Sequence, residues 1–208
     1  MKNIRKFSKR LLIVFISLAG LSACTTDGDS DSNETNALTQ QEKDMLIQMR
    51  EEEKLARDVY DYLYNKYGET VFDNISNSEQ SHMDNILTLL NKYNLPDPAL
   101  PTPGEFSNTD LQNLYNQLIA TGDLSLIDAL KVGATIEDLD IYDLEEFSNM
   151  TDKADILDVF GKLTCGSRNH MRAFYGQIQA QNATYTPQYI SQTEFDDIVN
   201  SPNERCGR

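Results

Sequence analysis

Residues 76–86 read SNSEQSHMDNI, and the apolar residues on either side determine how they are read. Phe72, Ile75, Glu79, His82, Ile86, Leu89 and Tyr93 recur at steps of three and four, which is the spacing of one helix face. Glu79 and His82 therefore stand in a stripe that should be apolar. The chain has only two histidines. One of them, paired with a carboxylate, faces the expected core.

Reading outward, the preceding segment is also helical. Thr39 and Glu42 form a capping box, and Leu46, Met49, Glu53, Ala56, Tyr60, Leu63 and Tyr67 make a bundle stripe that Gly68 ends. The next helix, about 71–93, follows so closely that the two must be antiparallel neighbours. LPDPALPTPGEF, residues 95–106, carries four prolines and a glycine and reads as a crossover loop. A short helix at about 109–120 leads to Gly122 and to Asp123 as the expected N-cap of a third long helix, with Ile127, Leu130, Ala134, Glu137, Ile141 and Leu144 in register. A fourth, about 152–181, aligns Ile156, Phe160, Leu163, Ser167, His170, Phe174 and Ile178. The tail, with Tyr189, Phe195 and Ile198, is expected to pack back as a small appendage. No stretch alternates persuasively as a strand, and no glycine-rich phosphate loop or serine elbow occurs. The class is all-α.

Each long stripe has one polar interruption at a similar depth: Glu53; Glu79 with His82; Glu137 with Asp140 one turn on; Ser167 with His170. An unpaired carboxylate in a bundle core costs several kcal/mol unless it is neutralised, paired or bound to a metal. Four carboxylates and two imidazoles hold too little positive charge to neutralise themselves, and one or two divalent cations would balance them. The plainer readings are a hydrogen-bonded Glu79–His82 pair, a solvated acidic run at Glu51, Glu52 and Glu53, and Tyr60 as a core aromatic. Arg168 and Arg172 could also pair with the core carboxylates in place of a metal.

These residues resemble the ferritin-like superfamily, which builds a dinuclear site from a Glu on each of two helices and a Glu-x-x-His on each of the other two. Glu53 matches the first-helix Glu, Glu79-Gln-Ser-His82 the first Glu-x-x-His, and Glu137 the third-helix Glu. Tyr60, seven residues after Glu53, matches a tyrosine often found there. The fourth helix departs from the pattern, because residues 167–170 read Ser-Arg-Asn-His and lack the bridging Glu. Asp140 resembles the extra third-helix carboxylate of the rubrerythrin-like branch. SEQSHM and GSRNHMRAF are also similar to an uncharacterised branch known as domain of unknown function 2202. The resemblance covers about 45–180 and implies a ferritin-like antiparallel four-helix bundle with a long crossover and a short extra helix; the bundle is expected over residues 38–183 and the appendage over 184–208.

The N-terminus reads as an address. MKNIRKFSKR carries five positive charges, LLIVFISLAGL is apolar, and LSAC ends at Cys24, so residues 1–23 form a secretory signal peptide. Ser22 and Ala23 before Cys24 resemble the bacterial lipobox, which implies lipidation of Cys24 and anchoring in the cell envelope. Thr25 after that cysteine implies, by the same resemblance, the outer membrane, facing the periplasm or the surface. Residues 24–37 are polar and acidic and form a tether. Five of the 18 basic residues and none of the 33 acidic ones lie in 1–23, so the exported chain carries 13 basic against 33 acidic residues. That balance argues against nucleic acid as a partner. Export permits a Cys165–Cys206 disulfide, and spacing leaves the pairing open.

The expectation is a lipid-anchored metal-binding protein, monomeric or a small oligomer. Its ligands would be Glu53, Glu79, His82, Glu137, Asp140 and His170, with iron or manganese as cofactor and zinc compatible with the same ligands. With paired iron, the resemblance implies oxidase or peroxidase chemistry on Fe(II), oxygen or peroxide, with Tyr60 as redox participant. The alternative is a non-catalytic envelope scaffold with a degenerate site.

Overall fold

The computed structural model describes residues 37–207, and Cys24, the signal peptide and most of the tether lie outside them. Six helices follow in order: α1 (Gln40–Tyr67), α2 (Thr70–Lys92), α3 (Thr109–Gly122), α4 (Leu126–Ser148), α5 (Ala154–Ala180) and α6 (Gln192–Asn200). No strand occurs among the described residues.

Local chemistry sets the helix ends. At the start of α1 the Thr39 hydroxyl accepts from the Glu42 N–H at 3.1 Å and the Glu42 carboxylate accepts from the Thr39 N–H at 2.8 Å. Such a cap is worth about 1 kcal/mol. Gly68, at φ 72°, closes α1 in the left-handed region, where a side chain would be strained. Only Gly68 and Glu69 separate α1 from α2. One cap falls elsewhere than expected. Ser125, not Asp123, caps α4, accepting from the Asp128 N–H at 3.1 Å. Asp123 has helical dihedrals, and its carboxylate is taken by Tyr62 and Lys66 of α1. Asp123 therefore closes α3 as its C-cap instead of opening α4.

Cross-links fix the helix directions. Thr151, just after α4, donates to Glu42 at the start of α1, whereas Tyr67 at the end of α1 donates to the Gly122 carbonyl before α4. α4 therefore runs antiparallel to α1. Tyr93 after α2 reaches Asp155 at the start of α5, and His170 late in α5 reaches Ser78 early in α2, so α5 is antiparallel to α2. The result is two helical hairpins, α1–α2 and α4–α5, joined by one long crossover that contains α3.

The crossover and the tail both pack onto the bundle. Asp97 takes Arg50 through two hydrogen bonds of 3.0 and 2.8 Å. Lys54 is buried by the loop, donating to Asp58 and to the carbonyls of Thr102 and Glu105, with its ammonium 4.4 Å from the Phe106 ring centre. Past α5, the buried Asp138 gathers the Tyr185 hydroxyl at 2.7 Å and the Ile190 N–H at 2.9 Å. Phe195 and Ile198 of α6 join the core. A Cys165–Cys206 disulfide ties the last residues to α5.

Buried apolar residues form two clusters. One includes Val59, Tyr60, Phe72, Ile75, Ile141 and Phe174; the other includes Met45, Met49, Ile86, Leu144, Phe160 and Leu163. Along α1, α2 and α5 the residues between the clusters are Glu53, Glu79 with His82, and Ser167 with His170. A polar layer is thus held between two apolar ones.

Candidate metal centre

The helical stripes carry their polar members into one group. Glu53 and Glu137 are 1% exposed, Glu79 2%, His82 7% and His170 8%. His82 Nδ1 lies 2.7 Å from one Glu79 oxygen and 3.2 Å from Glu53. His170 Nδ1 lies 2.8 Å from the other Glu79 oxygen and 3.3 Å from Glu137. Two triads result: Glu53, Glu79 and His82; and Glu79, Glu137 and His170. Within each, the ligand atoms all fall within 4.8 Å of one another. Glu79 belongs to both. The imidazoles face each other at 5.5 Å between ring centres.

Several of these atoms approach without bonding. Glu79 Oε1 and His170 Nδ1 are close, yet neither has a hydrogen-bond partner, and Glu53 Oε1 is also buried and unpartnered. Buried donor atoms without partners are the kind that cations satisfy, and these fall in the two triads.

The remaining predicted residues surround this core. The Tyr60 hydroxyl donates to Glu137 and lies 3.4 Å from the Gly133 carbonyl. Asp140 stands outside both triads and accepts a hydrogen bond from Ser167. The serine that replaces the expected fourth-helix Glu thus draws a carboxylate from α4 toward that position. Arg168 and Arg172 leave the site altogether. Both turn to Glu204, at 2.5 and 2.8 Å, so they neutralise none of the core carboxylates.

Proton affinities reflect the missing positive charge. Burial alone would raise Glu79, but His170 and His82 outweigh it and hold the carboxyl far below its usual range. Burial disfavours charged imidazoles, yet Glu79 and Glu53 raise His82 well above its ordinary value. Glu79 and Glu137 likewise push His170 up to about 10. Burial, with Asp140 adding, drives Glu53 well above the carboxylate range; burial and Glu137 take Asp140 to about 8. Burial and Glu79 raise Glu137. Without a cation, protons take the place of positive charge here. Metal binding would displace them.

Two residues escaped the sequence reading. Ser78 places its hydroxyl 2.9 Å from His170 Nε2, where it can receive the second ring N–H and leave Nδ1 free as a ligand. Gly166 makes room for His82, because a Cβ at that position would lie 2.5 Å from His82 Nε2. A glycine inside a helix costs about 1 kcal/mol relative to alanine, so its place one turn before His170 was the available signal. Ser78, one residue before Glu79, carried none.

Comparisons with known proteins agree with this architecture. Over 169 residues the chain is 54% identical to the uncharacterized protein MJ0754 of Methanocaldococcus jannaschii, covering 81% of this chain and 91% of the relative. A crystal structure titled for the hypothetical protein MJ0754 from Methanococcus jannaschii superposes with a TM-score of 0.79 at 50% identity, covering 88% of this chain and 100% of that one. Residues 42–202 match the family described as Uncharacterized protein domain (DUF2202), which takes in all six helices but the first two residues of α1. The chain belongs to the DUF2202 family.

Proposed function

We propose that this chain is a ferritin-like protein whose buried polar layer holds two divalent transition-metal ions, iron or manganese. The observation that carries the reading is Glu79, whose two oxygens each meet a different imidazole at 2.7 and 2.8 Å. One carboxylate thereby divides five donor groups into two sets that share it. Two hairpins joined by one long crossover support the ferritin-like assignment, since that connectivity is the one ferritin-like bundles use. Oxygen and nitrogen donors suit iron and manganese, and zinc takes the same ligands.

Bound iron would supply one-electron oxidation and reduction toward oxygen or peroxide. This chain's own part is to hold and orient. Glu53 and His82 would hold one ion, Glu137 and His170 the other, and Glu79 both. Ser78 would receive the Nε2–H of His170 and leave Nδ1 to the ion. Tyr60 keeps its proton, raised well above the usual phenol range by burial and by Glu137, and is the aromatic group placed to relay an electron. The apolar clusters on either side exclude water.

The N-terminal pattern ending at Cys24 adds export and lipid anchoring to the reading. No helix among the described residues is long and apolar enough to cross a membrane. Elemental analysis of protein purified without a His tag, followed by Fe(II) oxidation by wild type and Glu79→Ala, tests the proposal. Two metal equivalents per chain and a loss of oxidation rate in the variant are expected. Absence of stoichiometric metal, with equal rates, would favour the non-catalytic scaffold.

A further inference from the structure

We propose that Glu52 and Asp143 form a weak cation-loading site through which a divalent ion reaches the buried centre. The destination rests on the proposed metal reading; the loading site itself does not. Glu52 is 8% exposed, and Gln48 donates to its Oε1 at 2.9 Å while Oε2 is buried without a partner. Asp143, across on α4, likewise has a buried Oδ2 with no partner. The charged groups that act most on Glu52 are Asp143, Asp140 and Glu53, and the one that acts most on Asp143 is Glu146. All are acids. Two buried, orphaned carboxylate oxygens in such a field invite a hard cation, which oxygen donors prefer.

The position gives the site its role. Asp143 is half-buried and reaches solvent. Asp140, one turn before it, acts electrostatically on both Glu52 and Glu53, and Glu53 belongs to the first triad. Carboxylates therefore run from the surface at Asp143 through Glu52 and Asp140 to Glu53. Glu52 and Asp140 also border one pocket between α1, α3 and α4, which leaves space beside the path. Two ligands are too few for tight retention, so the ion passes on to the triads.

Mn(II) titration of the full chain, read by electron paramagnetic resonance, together with stopped-flow loading, tests this. Wild type should bind two ions tightly and one weakly. Glu52→Gln and Asp143→Asn should each lose the weak equivalent, keep the tight ones and load about 10-fold more slowly, as expected when an attracting charge is removed. Asp143→Asn, at a half-exposed position, serves should Glu52→Gln fail to fold. A variant that keeps the weak equivalent and the wild-type loading rate overturns the proposal. Loss of the weak equivalent in a protein with no tight sites would uphold the loading site and overturn the metal centre instead.

Discussion

Two clusters of buried charge sit back to back on α1, and they are resolved in opposite ways. On the outer side, residues 50–54 read REEEK, and the crossover supplies partners for most of them. Asp97 takes Arg50, Asp58 and two carbonyls take Lys54, and Glu51 accepts the Ser107 N–H at 2.9 Å. On the inner side, Glu53 looks into the bundle and meets Glu79, Asp140 and His82. Arg50, Glu51 and Lys54 are held by the protein's own groups, with one oxygen of Glu52 left unpartnered. The inner one is left open, and that difference separates a structural charge network from a candidate binding site.

Breaking the inner cluster should have the largest effect. Glu79→Gln removes the shared ligand, and both metal equivalents should disappear in elemental analysis while the helical circular dichroism spectrum is retained. Retention of both ions would show that the triads do not depend on Glu79. The outer cluster should answer in stability, not in metal. Lys54→Met leaves Asp58 with one cation fewer inside the fold, and such a break costs about 3–5 kcal/mol. Denaturant unfolding should report that loss, with metal content per folded chain unchanged. Depletion of metal alongside it would mean that the two clusters are coupled.

Smaller changes sharpen the contrast. Ser78→Ala removes the partner of His170 Nε2 and should weaken metal binding about 10- to 100-fold, measured by competition with a chelator. Gly166→Ala should favour the helix itself but drive a methyl into His82. The expected result is a thermal midpoint close to wild type in the metal-free protein and weaker metal binding. A wild-type affinity would show that the ring has somewhere else to go.

The smallest effect concerns the tail. Hydrogen bonding from Arg168, with Arg172 adding, holds Glu204 down at about 2 from an ordinary 4.5. A depressed folded value means that the clasp stabilises the fold above the unfolded value. That contribution fades as the pH falls from about 4.5 toward 2. Stability of wild type and Glu204→Gln should therefore differ at neutral pH and converge in acid. A difference that persists unchanged to the acid end would place the effect in packing.

The long helices were legible because their stripes are regular and their boundaries carry local signals such as the Thr39–Glu42 box and Gly68. The inner residues were legible for the same reason, since Glu53, Glu79, His82, Glu137 and His170 interrupt apolar stripes. What the sequence hid depends on distant chain segments. Glu51 and Glu52 read as solvated neighbours of Glu53, but the crossover covers the first and the α1–α4 interface encloses the second. Asp123 looked like a cap, yet Tyr62 and Lys66 of another helix had claimed it. Ser167 looked like a lost ligand, and only the approach of α4 shows that Asp140 meets it. Spacing left the Cys165–Cys206 pairing open, because the return of the tail is a tertiary event.

The central claim is that Glu79 divides the buried layer into two cation sites. Anomalous diffraction from crystals of the protein grown with Mn(II) tests it most directly. Two peaks are predicted, one among Glu53, Glu79 and His82 and one among Glu79, Glu137 and His170. Density that shows the imidazoles bonded only to carboxylates, with no anomalous peak in either triad, would contradict it.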